Sequence, residues 1–288
     1  SDASSIATSA EANHGGDISI TAQNVQLSNG TKIDANSNAP LQVTKLVLDQ
    51  NGQLVPQMVG DGNAGNVKIT SASNFVIQNS SMTTEASQGN SGQITITSSN
   101  SVTLQDNALV SASSQGAGNA GSITINAGQQ YLSTNSAVTT KAAQASGGDI
   151  TVNAQEMIRL IDSQINTSVA GGDQTLGGNI KIDPQFVILQ NSQILAQAFA
   201  GTGGNISIIS NVFLADPFSQ EHVSASSQLG ISGTINIQSP VQNIGGRLTP
   251  LSQQFSSAAA LLAQQCAARV TDGKFSTFVV AGREGLPA

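Results

Sequence analysis

The residues able to do acid–base chemistry are few, and their spacing limits what they can do. Polysaccharide lyases and hydrolases need carboxylates clustered at one spot, often with a Lys or Arg beside them. Asp17 and Asp149 each follow a glycine in similar phrases, "GGDISI" and "GGDITV", but Asn66, Gln93, Ser122, Asn179, Asn205 and Thr234 hold that slot elsewhere. Asp106 and Asp162 share a second slot, with Asn135 between them. Asn and Asp tolerate left-handed backbone geometry and bond their own main chain, so their interchange at a fixed place reads as a corner rather than a catalytic pair. His14 and His222 stand far apart, and neither has a Cys or His at metal-ligand spacing. The glycine-rich "GGDQTLGG" at 171–178 matches neither a P-loop nor a dinucleotide fingerprint, and the calcium-binding nonapeptide of β-rolls is absent. "NGT", "NSS", "NTS" and "NIS" fit the N-glycosylation pattern, which a chain this rich in Asn and Ser produces by chance. No catalytic, cofactor-binding or metal residue is therefore assigned, no cofactor is expected, and the chain reads as a non-enzyme.

The elements that carry these residues follow from composition and period. Of 288 residues only 9% are charged and 3% aromatic, and hydrophobic content is 38%. Ser, Thr, Asn, Gln and Gly fill the gap, which suits a structure built mainly from backbone hydrogen bonds and small stacked side chains. The formal net charge of −7 argues against a nucleic-acid partner. There is no apolar run near the ~20 residues of a membrane span, and "SDASSIATSA" lacks the basic start and apolar centre of a secretory signal. Cys266 is the single cysteine, so no intrachain disulfide forms.

One phrase recurs eight times. The glycines that precede it are Gly16, Gly65, Gly92, Gly121, Gly148, Gly178, Gly204 and Gly233, at spacings of 49, 27, 29, 27, 30, 26 and 29. Behind each stands an alternating pair, such as Ile94/Ile96, Ile123/Ile125 and Ile150/Val152, every member β-branched. Period-2 patterning of β-branched residues marks a half-buried strand. A second apolar patch follows in most units ("VQL", "FVI", "VTL", "IRL", "FVIL", "VFLA"). Then comes the Asn or Asp corner at 29, 79, 106, 135, 162 and 191, and a third strand such as "TKIDA" or "AVTTKA". No unit can bury its apolar residues alone, but stacked units can. The expected fold is all-β: a right-handed parallel β-helix, a solenoid of about eight coils with three short strands per coil. "SSIATSA" reads as a third strand whose two predecessors are missing, as in a fragment of a longer solenoid.

Residues 1–240 are thus expected to form the β-helix, with a β-hairpin inserted at 39–60 around "QNGQ". After "GTINIQ" the repeat stops. Thr249-Pro250 fits a helix start, and Leu251, Phe255, Ala258, Ala259, Leu262 and Cys266 share one helical face. With the strand-like "KFSTFVVAG", residues 241–288 read as a capping segment with a helix near 250–270, Cys266 being a small core residue. On the polar outer side Thr95, Thr97, Thr124 and Thr151 are expected to align, an array of the kind that binds ice or sugar, although Lys68, Lys181 and Ile209 interrupt it.

The coils "GGNIKIDPQFVILQNSQILAQAFAGTGGNISI", "VSASSQLGISGTINIQSP" and the closing "AAALLAQQCAARVTDGKFSTFVVAGREGLP" resemble the C-terminal part of bacterial filamentous-haemagglutinin-like exoproteins. The closing "FSTFVVAGREGLP" is the more specific part. The resemblance implies export by two-partner secretion through an outer-membrane β-barrel transporter, which would be a partner during export. It implies a secreted or cell-surface location and a role as adhesin or filament or matrix component. The family's N-terminal secretion domain has no counterpart here. Further expected partners are glycans or cell surfaces, and a second subunit joined end to end through an exposed first coil. The competing reading is a polysaccharide-binding or polysaccharide-cleaving β-helix protein.

Overall fold

The computed structural model describes residues 4–11, 14–38, 43–48, 53–58 and 62–242. The chain divides into two units, Ser1–Asn243 and Ile244–Ala288. The expected cap, its helix near 250–270 and Cys266 lie outside the described residues.

The first unit is a parallel β-solenoid of about eight turns, with three sheets of eight strands each. The first sheet stacks Ile18–Ala22, Val67–Ser71, Ile94–Ser98, Ile123–Ala127, Ile150–Ala154, Ile180–Asp183, Ile206–Ile209 and Ile235–Gln238. The second runs from Val25–Leu27 to Val241–Gln242, and the third from Ser5–Ala7 to Val223–Ser224. Every neighbouring pair within these sheets is parallel and in register with the repeat, so Ile94 lies on Ile123 and Ile123 on Ile150. The β-branched alternation explains the stacking. Inward Ile and Val pile into two columns of the first sheet, buried from Val67 through Ile208. Each such side chain contributes about 1.5–3 kcal/mol by leaving water. Their polar neighbours face out.

The recurring glycine has a steric origin. A Cβ placed on Gly92, Gly121, Gly148, Gly178 or Gly204 would sit 1.8–2.0 Å from the carbonyl oxygen of the glycine one coil below. Backbone rests directly on backbone here, so any side chain would collide with it. The threonines of the third strand fasten the same corner, since Thr84, Thr140 and Thr167 donate to the carbonyls of Gly92, Gly148 and Gly178 at 2.8, 2.7 and 2.7 Å.

The other corner turns through left-handed residues. Asn29, Asn79, Asp106, Asn135, Asp162 and Asn191 all have φ between 44° and 57°, as expected of their slot. A buried serine follows Asn79, Asn135, Asp162 and Asn191, whereas Gly30 follows Asn29 and Asn107 follows Asp106. Ser136 N donates to Ser163 Oγ, Ser163 N to Ser192 Oγ, and Ser192 N to Ser219 Oγ. In the next coil the Asn is replaced by a short helix, Pro217–Glu221, which the repeat did not predict. Asp216 caps it by accepting from Ser219 N, and Ser219 keeps the buried slot of the serine column.

One further strand escaped the repeat pattern. The strand Gln130–Thr134 lacks the apolar triplet of its relatives because Tyr131 and Ser133 face inward, a large residue beside a small one. Tyr131 packs between Val102 and Ile158, with its hydroxyl buried and without a hydrogen-bond partner of good geometry. Burial pushes its phenol well above the ordinary range, and the neighbouring Ser133 hydroxyl offsets part of that. The insertion contains an antiparallel pair, Val43–Leu48 with Leu54–Met58; its turn lies outside the described residues.

Candidate functional site

The sequence slots that hold acids become side-chain ladders. Asp17 Oδ1 accepts from Asn66 N at 2.7 Å, and Asp149 Oδ1 from Asn179 N at 2.7 Å. Asn66, Asn179 and Asn205 do the same for Gln93 N, Asn205 N and Thr234 N. An acceptor oxygen on one coil thus holds the backbone N–H of the next, and Asp or Asn serves equally. Four coils separate Asp17 from Asp149, roughly 19 Å of strand spacing, so the structure does not bring them together. At the opposite corner Asp106 accepts from Gln78 Nε2 at 2.6 Å and Asp162 from Asn191 Nδ2 at 2.6 Å.

A second ladder of this kind went unread in the sequence. Asn63, Asn90 and Asn119 stand two residues before their glycines, and accept from Asn90 N, Asn119 N and Ser146 N. Its signal was present in "GNAGN", "GNSGQ" and "GNAGS". His222 is likewise a structural residue. It ends the short helix, its Nδ1 lies 2.8 Å from Phe218 O, and its ring stacks on Phe218 at 4.0 Å. His14 is exposed near the first coil. Among the described residues there is no group of three or more His, Cys, Asp or Glu that could hold a metal ion, and no helix long and apolar enough to cross a membrane.

The outer faces are where the stacking creates surfaces. On the first sheet Thr95, Thr124 and Thr151 align in register, flanked by Lys68 and Lys181 in the same column, while Thr97 lies with Thr70 and Asn126 in the next. The third sheet carries a groove of about 580 Å³, lined on its polar side by Glu85, Ser111, Ser113, Thr139, Lys141 and Ser168. Strand pairing puts Ser113, Lys141 and Ser168 in one column, and the bridge between Ala86 and Ser114 brings Glu85 into line below them. Glu85 and Lys141 are therefore two coils apart, roughly 10 Å. Ser111 and Ser113 bond each other at 2.9 Å. Thr83, one coil below Ser111 and paired with it, donates to Asp34 and Asn36 at 2.8 and 3.0 Å.

Chemically this groove offers hydroxyls, one carboxylate and one ammonium beside an apolar side formed by Leu109, Ala142, Ala143, Val169 and Ala170. That set suits a polyhydroxyl ligand. Paired-carboxylate glycoside chemistry requires two acids about 5–9.5 Å apart; Glu85 lines the groove, and Asp34, one coil below, pairs with Thr83 two residues before Glu85. The sequence placed these residues on the third strand, but not on a shared face. Their neighbours come from other coils, about 28 positions away.

No family model, curated protein or solved structure matches this chain.

Proposed function

We propose that this chain is part of an extracellular structural or adhesive solenoid, exported by two-partner secretion and displayed at a bacterial cell surface as an adhesin or matrix component. The observation that carries this reading is the in-register stacking of eight strands in each of three sheets. Such a stack is stiff because every coil is hydrogen-bonded to its neighbours along three faces, and its outward hydroxyls and amides offer broad, weak contacts. The export route and the surface location rest on the resemblance of the coils and of "FSTFVVAGREGLP" to filamentous-haemagglutinin-like exoproteins. Two experiments test the reading. Beads coated with the purified chain are expected to be retained on cell or glycan surfaces more than beads coated with a β-sandwich of similar charge; equal retention would remove the adhesive role. Export of the parent polypeptide is expected to stop when its outer-membrane transporter is deleted, and unchanged export would remove the secretion route.

The groove on the third sheet favours a second reading, a polysaccharide-binding or polysaccharide-cleaving protein. Incubation with acidic and neutral polysaccharides separates the possibilities. Binding without product release fits a lectin-like groove. Product release that disappears in Glu85→Gln would make the chain an enzyme and displace the first reading.

A further inference from the structure

The groove on the third sheet holds polar groups whose bonding is incomplete. Ser111 and Ser113 alternate with the core residues Val110 and Ala112 and so face outward, yet they are only 4% and 8% exposed. Their hydroxyls bond each other at 2.9 Å. One proton serves that bond. The serine that accepts keeps its own O–H, which has no acceptor among the described residues. A buried hydroxyl in that state calls for a partner inside the groove. The two charged groups of the lining are also unused. Neither the Lys141 ammonium nor the Glu85 carboxylate has a hydrogen-bond or salt-bridge partner among the described residues. They stand in one column with Ser113 between them, roughly 10 Å apart.

These groups select an occupant. The groove's volume of about 580 Å³ is that of a small-ligand site, and its lining sets hydroxyls beside the apolar Leu109, Ala142 and Val169. A sugar ring has the same division, with C–H faces and an O–H rim. A peptide strand fits less well. It joins a sheet through main-chain bonds at an edge, and the strands under the groove already make theirs to the coils above and below. A pyranose unit advances a linear glycan by about one coil, ~4.8 Å, so Glu85, Ser113 and Lys141 meet successive sugars. The charges then discriminate among glycans. One acidic group at Lys141 gains an unshared ammonium. A second acidic group two units away meets Glu85, with Asp34 one coil further in the neighbouring column, and like charges there repel. Lys32 lies at that end too, but neither Lys32 nor Asp34 lines the groove.

We propose that the third-sheet groove binds a linear glycan whose carboxylates are isolated by neutral sugars, with one carboxylate on Lys141 Nζ and neutral hydroxyls on Ser111, Ser113 and Glu85. This rests on the second reading above, that the groove takes a polysaccharide, and names its class: a sparsely acidic glycan rather than a polyuronate.

Amide chemical-shift titration of the full chain with three trisaccharides tests the proposal. The probes are cellotriose, cellotriose with one terminal hydroxymethyl oxidised to a carboxylate, and trigalacturonate. The mono-acid is expected to shift the amides of Ser111, Thr139 and Ser168, and to bind about fivefold more tightly than either other sugar, the upper range for an exposed ion pair. Lys141→Met is expected to erase that preference and Lys141→Arg to keep it. Lys181→Met removes the same charge from the first sheet and is expected to leave the preference unchanged, which separates a local contact from net charge. Glu85→Gln is expected to raise trigalacturonate affinity about twofold or more. Circular dichroism confirms that each variant keeps its sheet content. Equal binding of cellotriose and its mono-acid in the groove would overturn this inference and leave the polysaccharide reading standing. Tightest binding of trigalacturonate, or a preference that survives Lys141→Met, would overturn it as well. Groove amides unmoved by all three sugars would remove both.

Discussion

At the glycine corner a Cβ on Gly121 would lie 1.8 Å from the carbonyl oxygen of Gly92, and the same collision recurs from coil to coil. At the Asn corner the side chains of Asn79, Asp106, Asn135, Asp162 and Asn191 project into solvent, and the next coil replaces the corner with a helical turn, Pro217–Glu221. One corner is held by backbone lying on backbone and admits a single residue type. The other is held by a backbone angle, with a buried serine beside it in most coils and Thr31 or Ala108 in two, and admits Asn, Asp or an insertion. Repetition in this solenoid is therefore strictest where main chains lie in van der Waals contact and looser where they are spaced to hydrogen-bond, as Asn135 N does to Ile161 O at 2.9 Å.

Substituting the glycine column is the hardest test of that contrast. Gly148→Val is expected to lose about 3–5 kcal/mol, since the collision is with backbone that cannot move without opening the stack. Gly172, whose added Cβ would meet nothing within 4 Å, provides the control: Gly172→Ala is expected to stay within about 0.5 kcal/mol. Urea unfolding followed by circular dichroism measures both, and equal losses would erase the distinction between the two kinds of glycine.

Within the tolerant corner the serine should matter more than the Asn. Ser163→Ala removes the acceptor of Ser136 N and the partner of Ser133 Oγ, both buried, so a loss of about 1–3 kcal/mol is expected in the same assay. At the exposed Asn135, with φ of 47°, alanine is expected to cost about 1–2 kcal/mol for the left-handed backbone, with glycine or aspartate close to neutral. If Asn135→Gly cost as much as Asn135→Ala, a side-chain bond rather than the backbone angle would be holding the corner.

The smallest effect concerns acid. Asp216 is held below the usual carboxylate range by the backbone N–H groups of Ser219 and Asn191. A carboxyl whose folded pKa is depressed stabilises the fold above the unfolded pKa of about 3.9, and that contribution fades as pH falls through the lowered folded value. Thermal unfolding of wild type and Asp216→Asn is therefore expected to converge between pH 4 and pH 2. An Asp216→Asn difference that stayed constant over that range would mean the charge plays no part in capping the helix.

Tyr131 illustrates how far the pattern can be read. The strand around it was invisible to a search for apolar triplets, because a tyrosine and a serine share the inward volume that two aliphatic residues fill elsewhere. The Ile and Val pairs, by contrast, announced their strands directly, and the Asn and Asp corners announced their backbone angle. The groove on the third sheet gave no comparable signal. Glu85 and Lys141 are 56 positions apart and look unrelated until the coils are stacked.

The order of residues along the chain sufficed to specify a parallel solenoid, its period and its two corners, because strand alternation, glycine and left-handed Asn are local properties written within each unit. Which side chains share a surface was decided only by the tertiary structure. A sheet face is assembled from one or two residues of each coil, so its neighbours are set by register across the stack and not by proximity in sequence. The groove on the third sheet, with Glu85 and Lys141 beside Leu109 and Val169, exists only once that register is in place.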